Sequence, residues 1–233
     1  MAANIGGELL WMCPSLGSDG ADLAGLNTPT LDGSIASIAE TGHGATKAYS
    51  FNGTNQSITI PHHSRFNFGT GDFAISLHCK PNSGSSMDLV HKVLSSGTFA
   101  GFTSQRVSGN ARFWIYNATG TVRTGRPIAV DTWQHVTFER QSGVARMFVN
   151  GLCLADSTHS QDVDNSTVMC IGALAPGGWG GGWFSGLMDD IRVFAKALTS
   201  LERGLLSTPA YQSSAGGAAA GFTGIRGVGA LGT

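Results

Sequence analysis

Apolar and polar residues alternate along several stretches of the chain, which is the pattern of a β-strand with one buried face. The stretch 73–79 alternates in this way, and so does 133–140, in which Val136 and Phe138 are predicted to face the core. The apolar face of the first stretch consists of Phe73, Ile75, Leu77 and Cys79. Further strands are predicted at 49–51, 58–60, 112–116, 168–171 and 187–194.

Turn residues separate the predicted strands. Asn150-Gly151 favours the paired positive-φ backbone of a type I′ turn, so it predicts a hairpin between 145–149 and 152–154. The first ~45 residues contain only isolated apolar positions among Gly, Asp, Ser and Thr. They predict an initial strand followed by a long irregular loop.

Short strands, glycine-rich turns and little helix predict an all-β fold, a two-sheet antiparallel sandwich. Glycine supplies 34 of the 233 residues and charged residues only 12%, a composition that suits many tight turns. Near the C-terminus, Thr199 and Glu202 have capping-box spacing, which predicts one short helical turn. The sandwich is expected to span residues 1–212, with a Gly- and Ala-rich tail at 213–233.

The cysteines are widely spaced and form no Cys-x-x-Cys pair, which disfavours a metal site built from them. They are Cys13, Cys79, Cys153 and Cys170. Cys79 and Cys153 lie in apolar strand patterns, where a free cysteine acts as a small hydrophobic residue. Buried thiols are therefore predicted, and a disulfide is the alternative.

Seven segments, in order along the chain, resemble a known family. Residues 49–61 resemble the "FDGxN…V.IP" opening of laminin-G-like domains, and 73–81 resemble their "FTISxWVKP" strand. The family motifs "WhHVA", "LYVNG", "IG", "F.G.iDevriy" and "aLs.eEi" are similar to 133–136, 147–151, 171–172, 184–194 and 197–202. The resemblance implies a concanavalin A-like jelly roll of two curved sheets. It also implies binding of carbohydrate or protein, often beside a structural calcium ion.

Asp189 is the residue on which a metal prediction rests. It has the same parity as Ile191 and Val193 in the predicted last strand, so its carboxylate is expected to face the core. There it must be paired, hydrogen-bonded or bound to a metal. One interpretation is a calcium site shared with Asn52, although the family often has Asp at that position. The alternative is a structural carboxylate that accepts backbone N–H bonds.

Two groups of aromatic residues are candidates for ligand binding. Trp179 and Trp183 lie in the glycine-rich loop 176–183, where they suit stacking on sugars or on a protein partner. The alternative for Trp183 is packing at the edge of the core. Trp114 and Tyr116 alternate with apolar neighbours, so one of the two sets faces away from the core. An exposed aromatic face would bind a ligand, and a covering segment would bury it equally well.

A catalytic role is disfavoured, because glycan hydrolysis needs two carboxylates that flank the scissile bond. The glutamates are Glu8, Glu40, Glu139 and Glu202, and none has a second carboxylate two or four residues further on. No serine or cysteine lies in a nucleophile motif such as Gly-x-Ser-x-Gly. The sequence predicts a non-enzymatic binding or structural module, and a glycan-cleaving enzyme is the least favoured alternative.

Charge and hydropathy restrict the partners. A net charge of −1 with scattered Lys and Arg gives no electrostatic case for nucleic acid. No run approaches the ~20 apolar residues of a membrane span, so no membrane insertion is expected. Residues 1–8 show no secretory signal peptide, which favours assembly in the cytoplasm.

The hypothesis that these features favour is a surface component of a larger assembly, such as a phage virion decoration, head-fibre or tail protein. In such an oligomeric particle the tail would order on neighbouring protein subunits. The apolar residues that it would use are Phe222, Ile225, Val228 and Leu231. The alternative is a stand-alone carbohydrate-binding module with a glycan ligand.

Overall fold

The computed structural model describes residues 9–13, 28–40, 47–83, 86–94, 100–117, 120–121, 126–174 and 182–207. Its strands and helix, in chain order, are β1 (Leu9–Cys13), β2 (Thr30–Asp32), β3 (Ala36–Ala39), β4 (Lys47–Asn52), β5 (Ser57–Ile60), β6 (Phe73–Pro81), β7 (Met87–Leu94), β8 (Ala100–Val107), β9 (Asn110–Asn117), β10 (Gly120–Thr121), β11 (Arg126–Pro127), β12 (Gln134–Gln141), β13 (Val144–Val149), β14 (Leu152–Thr158), β15 (Met169–Ile171), β16 (Ser185–Phe194) and α1 (Ser200–Ser207). A 3₁₀ turn lies at Ser64–Phe66.

The strands form two antiparallel sheets that pack face to face. The first sheet has the order β14–β13–β12–β6–β16–β4–β3, and β1 also pairs with β16. The second sheet has the order β10–β9–β8–β7–β15–β5–β2, and β11 also pairs with β9. The predicted all-β fold, a two-sheet antiparallel sandwich, is therefore confirmed.

The core between the sheets is built from alternate strand positions. The apolar face that the alternation predicted for β6 is fully buried: Phe73, Ile75, Leu77 and Cys79. Val136 and Phe138 of β12 are buried in the same core, as predicted. Phe73 also stacks on Phe68 of the preceding loop, with ring centroids 4.6 Å apart. Burial of each such aromatic side chain stabilises the fold by about 1.5–3 kcal/mol.

Local turn chemistry agrees with the sequence at two places. Asn150 and Gly151 both have positive φ, at 50° and 78°, and the strands that they join pair as β13 and β14. At α1, the Thr199 hydroxyl accepts from the Glu202 N–H, and the Glu202 carboxylate accepts from the Thr199 N–H. The predicted hairpin and the predicted capping box are both confirmed.

Buried cations hold the loops at one end of the sandwich. The Arg140 guanidinium donates to the backbone carbonyls of Gly69, Gly71 and Gln161 at 2.6–2.8 Å. The Lys92 ammonium donates to the backbone and side-chain oxygens of Asn165, both at 2.8 Å. These bonds tie the loops 61–72 and 159–168 to strands β12 and β7.

The last strand departs from the sequence prediction at Asp189. The register of β16 against β6 shifts between Asp189 and Arg192, and Asp190 has a positive φ of 50°. This β-bulge places Asp189 opposite His78, on the outer face of the first sheet, whereas Ile191 lies in the core. The prediction that Asp189 faces the core was wrong, because a bulge breaks the two-residue alternation.

Two further predictions need correction. The segment after β1 was expected to be an irregular loop, but it contains β2 and β3, whose mostly exposed residues give no apolar alternation. Cys79 and Cys170 are buried free thiols, whereas Cys153 is exposed. Cys153 lies on edge strand β14, where the register shifts so that it stands opposite Phe148 and outside the core.

Candidate functional site

Two aromatic rings stack on each other on the outer face of the second sheet. Trp114 and Tyr116 of β9 are partly exposed, while Phe113 and Ile115, which alternate with them, are fully buried in the core. The indole and phenol rings are nearly parallel, with centroids 5.7 Å apart and an interplanar angle of 21°. One of the two sets was predicted to face away from the core, and that set is Trp114 and Tyr116. The stacked pair is called the aromatic platform below.

Polar residues of β8 and β7 continue this face beside the platform. Thr103 stands opposite both Trp114 and His91, and Gln105 stands opposite both Arg112 and Asp88. Strand pairing therefore brings these side chains into two rows across the sheet, with neighbours ~5 Å apart.

Asp88 is a buried carboxyl group that holds the polar part of the face. Its Oδ1 accepts a hydrogen bond from Gln105 Nε2 at 2.7 Å and a longer one from the Thr103 hydroxyl at 3.3 Å. Burial raises the pKa of Asp88 to about 6, although these two hydrogen bonds favour the ionised form. The carboxylate fixes the amide nitrogen of Gln105, which leaves the Gln105 side-chain carbonyl oxygen as the group that can accept from a ligand.

His91 lies in the same outer row and is 6% exposed. Burial lowers the pKa of His91 to about 4, so the imidazole is neutral at physiological pH. Its Nδ1 is buried and has no hydrogen-bond partner among the residues that the structure describes. Because this nitrogen is buried, a ligand cannot reach it, and His91 belongs to the structural part of the face.

Trp183 lies next to this face, outside the core cluster. It is partly exposed, and its neighbour Phe184 occupies the core instead, edge-on to Phe51 at 5.6 Å. Gly182 packs against Asp88, whose N–H donates to the Gly182 carbonyl at 2.6 Å. Packing of Trp183 at the edge of the core stays the alternative prediction, because its side chain is only partly exposed. Trp179 lies outside the described residues.

The residues of the predicted calcium site are not brought together. Asn52 pairs with Ser185, four residues before Asp189 on β16, a separation of ~13 Å. The side-chain carbonyl oxygen of Asn52 accepts from the N–H groups of Thr54 and Asn55, so it caps its own turn. Within the described part of the chain, no group of three or more His, Cys, Asp or Glu is arranged to hold a metal ion.

The outer face of the first sheet carries a separate group of buried polar side chains. The Ser76 hydroxyl lies 2.7 Å from His135 Nε2, and the His135 ring lies 4.7 Å from that of His78. Burial, and then the charge of Arg192, lower the pKa of His135 to about 3. This serine–histidine pair is not placed for hydrolysis, because Ser76 is 1% exposed and His135 is 2% exposed, so a substrate cannot reach the hydroxyl.

Glu139 on the same outer face is engaged in structure. Its carboxylate accepts from Arg203 of α1 at 3.1 Å and from the Leu198 N–H at 3.2 Å. The Arg203 guanidinium also lies over the Phe148 ring, 3.9 Å from its centroid. Glu139 therefore anchors the helix to the sheet and is not placed to act on a substrate.

Comparison with known proteins assigns the family. The sequence profile of the concanavalin A-like lectin/glucanases superfamily matches residues 52–202. The chain belongs to that superfamily. No curated protein matches the sequence significantly. The concanavalin A-like match ends inside α1, so it includes both aromatic residues of the platform.

Solved structures with the same concanavalin A-like fold are distant in sequence. The binding domain of Paraclostridial Mosquitocidal Protein 1 has a TM-score of 0.71 and 17% identity, with 86% of this chain and 52% of that chain covered. Botulinum neurotoxin type C, which depends on two ganglioside molecules to enter cells, has a TM-score of 0.69 and 12% identity, with 89% and 52% covered. This chain therefore spans about half the length of both toxin structures.

A third similar structure is a single domain, and this chain covers almost all of it. Domain 4 of AbnA, an extracellular GH43 arabinanase of Geobacillus stearothermophilus, was solved with arabinotriose. Its TM-score is 0.67 at 19% identity, with 86% of this chain and 98% of that domain covered. The likeness to these structures shows a shared fold.

Sequence patterns alone did not identify Asp88, Gln105 and Arg112. Gln105 and Arg112 face the same side of the β8–β9 hairpin as Trp114. This shared face is the sequence feature from which they could have been predicted. The position of Asp88 could not be predicted in this way, because β7 has a register shift between Asp88 and Val90.

Among the described residues, no helix is long and apolar enough to cross a bilayer.

Proposed function

We propose that this protein is a non-catalytic glycan-binding module whose site is the Trp114–Tyr116 platform on the second sheet. The observation that carries the proposal is the pair of near-parallel, partly exposed rings on the outer face of β9. The C–H faces of a sugar ring pack well on such aromatic faces. Gln105 beside the rings supplies a side-chain carbonyl oxygen that can orient a sugar hydroxyl.

The similar structures support a glycan as ligand. The arabinanase domain holds arabinotriose, and the neurotoxin interacts with gangliosides, which are glycolipids. A binding role without catalysis is supported by the chemistry of the described carboxylates. Glu139 is tied to Arg203, and Asp88 is only 1% exposed, beneath Gln105 and Thr103. Hydrolysis would require two accessible carboxyl groups on opposite sides of one bond.

The test is binding of the purified chain to an immobilised glycan panel that includes arabinotriose and a ganglioside headgroup. Trp114→Ala is expected to weaken binding of any recognised glycan about ten-fold or more, because it removes the larger half of the platform. Trp114→Phe is expected to retain part of the affinity. The melting temperature should change little, since the Trp114 side chain is partly exposed.

Leu152→Ala is the matched control, because Leu152 is a large apolar side chain that is 66% exposed on the first sheet. It should leave glycan binding unchanged. Binding by Trp114→Ala that equals the parent, or a parent that binds no glycan on the panel, would contradict the proposed function.

A surface component of a larger assembly, such as a phage particle, is the second candidate. The observation that favours it is the exposure of Leu201 and Leu205 on α1, at 74% and 40%. They lie just before the segment in which the apolar residues Phe222, Ile225, Val228 and Leu231 were predicted to dock, a segment outside the described residues. Apolar side chains exposed on one helix are typical of surfaces that a protein partner covers. In this role the module would lie at the particle surface, after assembly in the cytoplasm.

A further inference from the structure

The outer face of β9 presents a cation in line with the aromatic platform. Arg112, Trp114 and Tyr116 occupy alternate positions of the strand, and all three are partly exposed. Successive outward side chains on one strand are ~7 Å apart, about the width of a sugar ring. A ligand that lies on the Trp114 ring therefore has its next substituent within reach of the Arg112 guanidinium.

The Arg112 side chain is not engaged by a carboxylate of the described residues. None of the ion pairs within the described part of the chain includes Arg112. The nearest carboxylate along its row is that of Asp88, two strands away across Gln105 and so ~10 Å distant. That carboxylate is occupied by Gln105 and Thr103.

The two charges of this row differ in accessibility. Asp88 is 1% exposed, whereas Arg112 is partly exposed, so an approaching ligand meets the positive charge. A guanidinium group binds a carboxylate through two parallel N–H···O bonds, which gives direction as well as attraction. The fixed Gln105 amide next to it offers a carbonyl oxygen to a neighbouring hydroxyl.

We infer that the face selects glycans that carry a carboxylate, which Arg112 binds while the sugar ring packs on Trp114. The inference rests on the proposed function, because it names the class of glycan that the same site takes. Both sialic acids and uronic acids have this chemistry. They are distinguished by experiment.

The experiment compares each acidic glycan with a neutral partner that lacks only the carboxylate. One pair is a sialylated lactose and its carboxyl-reduced form, and the other is an oligouronide and its carboxyl-reduced form. The parent is expected to bind one of the acidic glycans at least ten-fold more tightly than its neutral partner, measured as Kd by calorimetry. The preference should fall as NaCl is raised, because a partly exposed ion pair is screened.

Arg112→Gln is expected to remove this preference and to leave the Kd for the neutral partner within about two-fold. Arg112→Lys keeps the charge without the paired geometry and should retain an intermediate preference. Arg146→Gln is the control, because Arg146 lies on the first sheet and bonds to Gln141. It should bind as the parent does.

The outcomes separate this inference from the proposed function. An unchanged acidic-to-neutral ratio in Arg112→Gln, or a parent that binds both partners equally, would overturn the inference while glycan binding stands. If Trp114→Ala bound both glycans of a pair as tightly as the parent does, the proposed function itself would be overturned. Comparison of the two glycan pairs then identifies which acidic sugar is the better ligand.

Discussion

Buried ionisable side chains make the stability of the fold depend on pH in opposing ways. Burial lowers the pKa of His135 to about 3 and raises the pKa of Asp88 to about 6. In the unfolded chain His135 binds its proton near pH 6.5, so its contribution to stability is present above that pH and is lost as the pH falls. Asp88 acts oppositely, because folding strengthens its hold on a proton and its contribution grows as the pH falls below 6.

Two single variants test these opposite signs. Relative to His135→Asn, the free energy of unfolding of the parent is expected to fall by about 2 kcal/mol between pH 7 and pH 5. Relative to Asp88→Asn, that of the parent is expected to rise by about 1 kcal/mol over the same interval. Urea unfolding at both pH values measures the differences. Parallel pH profiles for parent and variants would show that neither group titrates as described.

The sequence predicts the buried and exposed faces of some strands correctly and those of others wrongly. Alternation predicted the core faces of β6 and β12 and the aromatic face of β9, because a two-residue period is a local property. It failed in β16, where the bulge at Asp190 reverses the parity of the residues that follow. A bulge depends on the partner strand, and so does the meeting of Asp88, Gln105 and Arg112, which no single stretch of sequence contains.

Gly172, directly after β15, gives a prediction about the stability of one turn. Gly172 has a φ of 80°, and a Cβ added there would lie 2.5 Å from the buried Phe51 ring. Gly172→Ala is therefore expected to destabilise the fold by about 3 kcal/mol, through both backbone strain and overpacking. A lower urea midpoint measures the loss.

Gly151→Ala is its matched control. Gly151 has nearly the same φ, 78°, but nothing lies within 4 Å of an added Cβ. Gly151→Ala should lower the free energy of unfolding only by the backbone strain, about 1 kcal/mol. Equal losses in the two variants would show that contact with Phe51 contributes nothing.

At the scale of the whole molecule, the two proposed sites lie on opposite outer faces of the sandwich. The aromatic platform lies on the second sheet, whereas α1 packs on β12 of the first sheet through Glu139 and Arg203. Packed sheets are ~10 Å apart, so a partner on α1 and a glycan on β9 would approach from opposite sides. Assembly and glycan binding are therefore compatible in one particle.

Deletion of residues 213–233 tests the assembly role. We expect the shortened chain to keep the parent's melting temperature within about 2 °C, because the family match ends at residue 202. Glycan binding should also persist. Light scattering should show an oligomer for the full chain and a smaller species for the shortened one. A monomer in both cases would leave the module without the proposed assembly role.

The buried cations at one end of the sandwich have a consequence for the surroundings in which the module works. Arg140 and Lys92 gather backbone oxygens from two loops, 61–72 and 159–168, as a bound calcium ion does in many extracellular domains. A charge that is part of the chain is neither diluted away nor removed by a chelator. This end of the molecule therefore keeps its loops in place at the low calcium concentrations inside a cell and at the high concentrations outside it.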